Sequence, residues 1–167
     1  MQVWIHAHAG YYGSSEKICT CTQKAINNYI GKISGPLLDR IDLHIEVKPV
    51  EYKKLESNSV VETSREIRRR VNIARNIQRN RYKDLKIFSN AELTPKIMEE
   101  HCKLNNESKK ILEKAFNQIG LSARAYTRIL KVARTIADLD EKENIETKHL
   151  VEAIQYRSLD RKYGDKF

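Results

Sequence analysis

The hydrophobic pattern of this 167-residue chain changes character near Pro49. Before that residue, the run Leu43–Val47 alternates apolar and polar residues, which places Leu43, Ile45 and Val47 on one side of a predicted β-strand. After it, apolar residues recur at helical spacing. The pattern therefore predicts a mainly α protein, in which a short strand-bearing segment precedes a bundle of helices.

Start and stop signals predict five helices in the second part of the chain. Thr63 and Glu66 have the spacing of a capping box, Ser122 is a serine cap, and Gly120 marks a helix end. The predicted helices cover about residues 63–81, a short stretch after Thr94-Pro95, 106–119, a stretch that begins at Ser122 and carries an apolar stripe as far as Ala137, and 147–156.

The first of these helices is two-sided. Its apolar arc consists of Ile67, Val71, Ala74 and Ile77. Its basic arc consists of Arg65, Arg68, Arg75 and Arg79. Arg70 and Arg81 point toward the apolar arc, so we expect them to be partly buried partners of acids. The basic arc could contact DNA backbone, but no aromatic residue lies between the arginines for base stacking, and a solvated outer face is favoured.

The charge balance and the cysteines limit the class of protein. A net charge of +9 and a pI near 9.5 favour acidic partners such as nucleic acid or nucleotide phosphates. Three cysteines do not make a disulfide framework, and no signal-peptide pattern opens the chain. Apolar runs are far shorter than the ~20 residues that span a bilayer. We therefore expect a soluble cytoplasmic protein without membrane contact.

Two longer stretches carry a family resemblance. Residues 33–47 and 121–139 closely resemble the magnesium-chelatase-like AAA+ proteins of the ComM/YifB type, with supporting matches at 101–104 and 153–157. The resemblance covers about residues 10–160. It implies a homo-oligomeric, hexameric ring that binds ATP with Mg²⁺ between neighbouring subunits and works on DNA as a branch-migration helicase of natural transformation.

The resemblance also divides the chain. Residues 1–50 correspond to a C-terminal remnant of the α/β AAA+ core, 51–62 to a linker, 63–160 to the helical lid domain and 161–167 to a tail. The expected fold is a helical AAA+ lid preceded by a short fragment of that core. No Gly-x-x-x-x-Gly-Lys-Ser/Thr loop occurs in the sequence. Since that loop holds the phosphates, we expect no ATP hydrolysis by this chain alone.

Three arginines are the candidate catalytic and nucleotide-binding residues. Arg40 matches the family's arginine finger, whose permanently charged fork meets the phosphoryl group of a neighbouring subunit. The alternative is an ion pair with Asp39 or Asp42. Arg124 resembles the sensor-2 arginine that touches the nucleotide of its own subunit, near a helix N-terminus that favours anions. Arg128, one turn later, is the competing candidate, and a solvated basic face is the alternative for both.

A zinc site is the candidate metal centre. Cys19 and Cys21 form a Cys-x-Cys half-site, and family members carry an earlier Cys-x-Cys that would complete four thiolates. In this sequence His6 and His8 lie close to those positions. The candidate zinc ligands are therefore two histidine nitrogens and the sulfurs of Cys19 and Cys21. Residues 1–9 depart from the family, which suggests a shifted reading frame at an altered gene start and argues against zinc.

Other interpretations stay open. The chain could be a stand-alone basic DNA-binding or adaptor module, or a non-functional remnant of a broken gene. By itself it is expected to be a monomer or a weak oligomer. Cys102 is expected to be a buried apolar residue, and His44, His101 and His149 to be ordinary packed or surface residues rather than bases.

Overall fold

The computed structural model describes residues 11–12, 17–32, 34–45, 47 and 62–157. Within these ranges every regular element is a helix, which confirms the mainly α fold class. In chain order the elements are α1 (Gln23–Ile30), α2 (Gly35–Leu38), α3 (Ser64–Arg81), the 3₁₀ helix η1 (Asn90–Glu92), α4 (Pro95–His101), α5 (Asn106–Ile119), α6 (Ala123–Leu139) and α7 (Thr147–Gln155). None of these helices is long and apolar enough to cross a membrane.

The predicted caps bound the helices as expected. At α3 the Thr63 hydroxyl accepts from the N–H of Glu66 at 3.3 Å, and the Glu66 carboxylate accepts from the Thr63 N–H at 2.7 Å. The Ser122 hydroxyl caps α6, and Gly120 ends α5 with φ of 68°. Thr94 precedes α4 as predicted but makes no side-chain cap bond.

The core is built around α6. This helix contacts α3, η1, α4 and α7, while α5 packs on α7. Ile129, Ala133 and Ala137 lie on its inner side and are at most 1% exposed. Their spacing of four residues is the helical repeat that the sequence displays, so the predicted apolar stripe of α6 is buried.

The first turns of α3 extend beyond this core. Ala74 is buried, whereas Ile67 and Val71 are 42% and 44% exposed. The apolar arc predicted for this helix is therefore only half-buried at Ile67 and Val71. α6 ends at Leu139, beside Ile73, and no element in the described ranges covers the earlier turns of α3.

The predicted strand at residues 43–47 does not form in the described part of that run. Leu43, Ile45 and Val47 are 46%, 65% and 85% exposed, while His44 between them is buried. A strand needs a neighbouring strand to pair its backbone, and none occurs among the described residues. The backbone instead joins the helical bundle, because the His44 N–H donates to the Tyr156 carbonyl at 2.8 Å.

A second, small cluster lies near the start of the described chain. It centres on Ile26 of α1 and Leu38 of α2, with Tyr12, Cys19 and Cys21 packed against them. Neither helix was predicted from the sequence. The predicted linker, apart from residue 62, and the predicted tail lie outside the described residues.

Candidate functional site

The candidate site lies where the N-terminal end of α6 meets the turn after α2. Arg124 is in the first turn of α6 with 54% of its side chain exposed, and Arg128 is one turn later with 24% exposed. The turn after α2 carries Asp39, Arg40 and Asp42. The structure therefore brings all three predicted arginines into one region of the molecule.

Asp39 is the centre of this region. Its carboxylate accepts a hydrogen bond from the Ser122 hydroxyl at 2.7 Å and lies 3.6 Å from the guanidinium groups of both Arg124 and Arg157. Arg157, only 1% exposed, also donates to the Ile41 carbonyl. These contacts fix the turn onto the cap of α6.

The second acid of the turn is engaged as well. Asp42 forms an ion pair with Arg128. Arg40, between the two acids, is exposed and forms no ion pair among the described residues. The acids that were the alternative partners of Arg40 are thus held by other arginines. Within the described part of the chain, no acid is paired with its guanidinium.

A cavity of about 580 Å³ opens beside these arginines. Arg124, Arg128 and Lys131 form its basic side, and Val132 and Ile136 belong to its apolar wall. Burial, followed by the nearby Arg128 charge, lowers the pKa of Lys131. A cavity that combines cations with an apolar wall suits a ligand with both an anionic and an apolar part.

A buried polar network was missed by the sequence analysis. Asp138 is fully buried and accepts from Arg81 at 2.5 and 3.0 Å, from Arg134 at 3.1 Å and from Asn90 at 2.8 Å. The Asn90 side chain in turn accepts from Tyr82 at 2.7 Å. The network joins α3, η1 and α6. The expected burial of Arg81 against an acid is confirmed, whereas Arg70 pairs with an acid, Glu62, but is exposed.

The sequence contains a signal for this network. Arg134 and Asp138 are four residues apart and lie next to Ala133 and Ala137 on the apolar stripe of α6. A charged pair of opposite sign within an apolar stripe indicates a buried ion pair. Arg134 also donates to two loop carbonyls at 2.6 and 2.7 Å, and burial lowers its pKa.

The predicted zinc ligands are only partly within the described residues. Cys19 and Cys21 are partly buried against the α1–α2 cluster, while His6 and His8 lie outside the described residues. The zinc site therefore stays a prediction. Cys102 is 5% exposed, and burial raises the pKa of its thiol to about 11, as expected for an apolar packing residue.

Another group with ligand atoms occurs before α7, where Asp140, Glu146 and His149 lie within 4.8 Å of one another. The Glu146 N–H donates to His149 Nδ1, so Nε2 carries the proton and donates to Asp140 at 3.0 Å. Lys148 Nζ lies 2.6 Å from the same carboxylate. Hydrogen bonds from Lys148 and then His149 lower the pKa of Asp140 to about 2. The group is an ion-pair cluster in which the ammonium group of Lys148 is already the cation.

Comparison with known families places this geometry in context. The profile described as "Magnesium chelatase, subunit ChlI C-terminal" matches residues 61–157, and "Magnesium chelatase, subunit ChlI" matches residues 5–55. The first covers the helical bundle. The second covers the segment that carries Arg40.

Several curated relatives match over most of the chain. Competence protein ComM of Haemophilus influenzae is 45% identical over 137 residues, which are 81% of this chain and 26% of that protein. The uncharacterized proteins YifB of Escherichia coli and of Salmonella typhimurium are 40% and 37% identical over 91% of this chain. The chain spans between a quarter and a third of the length of these relatives. It belongs to the magnesium chelatase subunit ChlI family, as a ComM/YifB-like member with the helical C-terminal domain.

Proposed function

We propose that this chain supplies the lid and the trans-acting arginine of an AAA+ ATPase that forms a ring of identical subunits and moves DNA branches. The family membership supports an AAA+-like protein, and the name of the Haemophilus influenzae relative connects that protein with competence. The net positive charge of the chain is compatible with DNA as the polymer on which the ATPase acts. Its unpaired cysteines fit the cytoplasm.

The observation that carries the proposal is the environment of Arg40. It is exposed, and the acids on either side of it are paired with arginines of the helical bundle. A guanidinium without an ion pair to any described residue, on a turn held by its neighbours, is suited to meet phosphoryl charge from a neighbouring subunit, because the fork is rigid and always charged. Arg40 is therefore proposed as the arginine finger.

Arg124 and Arg128 are proposed as the phosphate-binding residues of the lid. Arg124 is more than half exposed and only 3.6 Å from Asp39, a kind of surface pair that contributes about 0–1 kcal/mol. A phosphate can take over such a pair at small cost. Arg128 is less exposed and paired with Asp42, so Arg124 is the stronger candidate.

These side chains fit the phosphates of ATP rather than its Mg²⁺, because a guanidinium has no lone pair for a metal. The sequence contains no Gly-x-x-x-x-Gly-Lys-Ser/Thr loop. ATP and Mg²⁺ would therefore be held by the part of the ATPase that this sequence does not include. When bound, they supply the phosphoryl group on which Arg40 acts.

The test is a chimera in which this chain replaces the matching part of the Escherichia coli YifB protein. Arg40→Ala is expected to lower phosphate release about 10³-fold, with nucleotide binding unchanged, because a finger stabilises the transition state only. In rings that contain both variant and unchanged subunits, the fraction of activity lost should exceed the fraction of variant subunits.

Lys24→Ala, which removes an exposed cation of α1, is the matched control and should leave turnover unchanged. Alanine at the YifB position that aligns with Arg40 is a second measurement that does not depend on assembly of the chimera. Unchanged turnover in both variants would remove Arg40 from the catalytic role.

A further inference from the structure

One side of α3 consists of arginine and asparagine alone. At 100° per residue, eight exposed residues fall within about 140° of the helix circumference. We call this the Arg/Asn face; it comprises Arg65, Arg68, Arg69, Asn72, Arg75, Asn76, Arg79 and Asn80. The buried residues of α3, Ala74 and Gln78, lie on the opposite side. The face therefore points away from the helical bundle.

The described acids neutralise little of the charge of this face. The acid within α3, Glu66, lies outside the face and bonds to Thr63. Its pKa is lowered mainly by those hydrogen bonds and to a smaller extent by Arg69. The other two arginines of α3 pair elsewhere, Arg70 with Glu62 and Arg81 with Asp138. None of the five arginines of the face forms an ion pair with a described residue.

This arrangement has an energetic cost that a polyanion would relieve. Like charges three or four residues apart destabilise an isolated helix by about 0.2–0.5 kcal/mol per pair. Arg65 repels Arg68 and Arg69, and Arg75 repels Arg79. Phosphate groups along the face would convert this repulsion into attraction and release counterions.

We propose that the Arg/Asn face binds the phosphate backbone of duplex nucleic acid. Arginine forks and asparagine amides both donate hydrogen bonds to phosphate oxygens. The face carries no aromatic side chain on which single-stranded bases could stack. It also lacks the large apolar residues that anchor protein interfaces. An 18-residue helix is about 27 Å long, enough to contact several phosphates.

The C-terminal half of α3, with its part of the Arg/Asn face, is held against the helical bundle. The C-terminal end of α3 is fixed by the bidentate bond of Arg81 to Asp138 and by burial of Ala74 and Gln78. The inference rests on the charges of α3 and not on the finger role of Arg40. Each can therefore fail without the other.

The experiment measures binding of a short fluorescein-labelled DNA duplex to the full 167-residue chain by anisotropy, between about 50 and 200 mM salt. The triple change R65Q/R68Q/R69Q should weaken binding about tenfold or more and reduce the salt slope by about 2.7, because each lost phosphate contact contributes about 0.9. R75Q/R79Q should reduce the slope by about 1.8 for the same reason. Circular dichroism checks that each variant stays folded.

The matched control is K109Q/K110Q/K114Q, which removes three exposed cations from α5, a helix that also carries Glu107 and Glu113. This control should change the slope little. Equal losses in the α3 and α5 variants would mean that only net charge matters, and would overturn the proposal. Tighter binding of an acidic polypeptide such as polyglutamate than of DNA would also overturn it, in favour of an acidic protein partner.

Discussion

Asp138 shows how much one side chain organises in this fold. It is fully buried and accepts four hydrogen bonds, from Arg81, Arg134 and Asn90. Arg134 is only 2% exposed, so its charge has no access to water. The carboxylate is therefore required for the burial of that guanidinium, and the pair is stable only as a unit.

Asp138→Asn should destabilise the chain strongly. The amide keeps the shape of the side chain but removes the charge opposite two guanidinium groups, and breaking a buried pair in this way costs about 3–5 kcal/mol. The midpoint of urea unfolding reports the change.

Glu113→Gln is the control, since Glu113 is exposed on α5 and makes no ion pair with a described residue. It should shift stability by less than about 0.5 kcal/mol. Equal midpoints for Asp138→Asn and the unchanged chain would show that the network contributes nothing.

At the scale of elements, Gly120 decides how α5 ends and α6 begins. Its φ of 68° lies in the left-handed region, and its N–H donates to the Phe116 carbonyl at 3.1 Å. A Cβ at this position would meet nothing within 4 Å. The requirement for glycine is therefore purely one of backbone conformation.

Gly120→Ala should lower the free energy of unfolding by about 1 kcal/mol, because a left-handed φ costs that much in a residue with Cβ. Gly120→Asn should cost less, because asparagine tolerates this conformation. Thermal unfolding of both variants measures the difference. An alanine variant as stable as the asparagine variant would contradict the conformational explanation.

The helix boundaries were the most predictable part of the fold, because they depend on nearby residues. Thr63 with Glu66, Ser122 and Gly120 each act through bonds that span only a few residues. The strand at 43–47 was predicted with equal clarity and does not form in the described residues. Alternation shows that one side can be buried, but only another strand can complete the pairing.

The candidate site was less predictable for a similar reason. Residue type and family resemblance identified Arg40 and Arg124 as candidates. They could not show that Asp39 contacts Arg124 and Arg157. Along the chain, Asp39 is 85 positions from Arg124 and 118 positions from Arg157. Local periodicity carries no information over such distances.

At the scale of the whole molecule, Asp39 fastens the turn after α2 to the helical bundle. It contacts Ser122, Arg124 and Arg157, and the chain beyond it is held by the bond from the His44 N–H to the Tyr156 carbonyl. The turn that carries Arg40 is thus positioned by α6 and by the end of α7.

Asp39→Asn should loosen this attachment. The amide can still accept from Ser122, but the two arginines lose their anion. We expect the amide proton of His44 to exchange about tenfold faster, equivalent to about 1.4 kcal/mol of lost local stability. Hydrogen exchange measured by NMR provides the rate.

Asp84→Asn, at an exposed position without a described ion pair, is the matched control and should leave the rate unchanged. Amides in the middle of α6 should also keep their protection in both variants. Identical His44 exchange in the Asp39 variant would show that apolar packing, rather than Asp39, holds the turn.

α6 carries Arg124 in its first turn and Asp138 in its last. They are 14 positions apart in sequence, a span of about 21 Å along the helix. Between the two ends, the apolar side of the helix is buried in the core. A change of tilt at the arginine end would therefore reach α3, which is bonded to the aspartate end through Arg81.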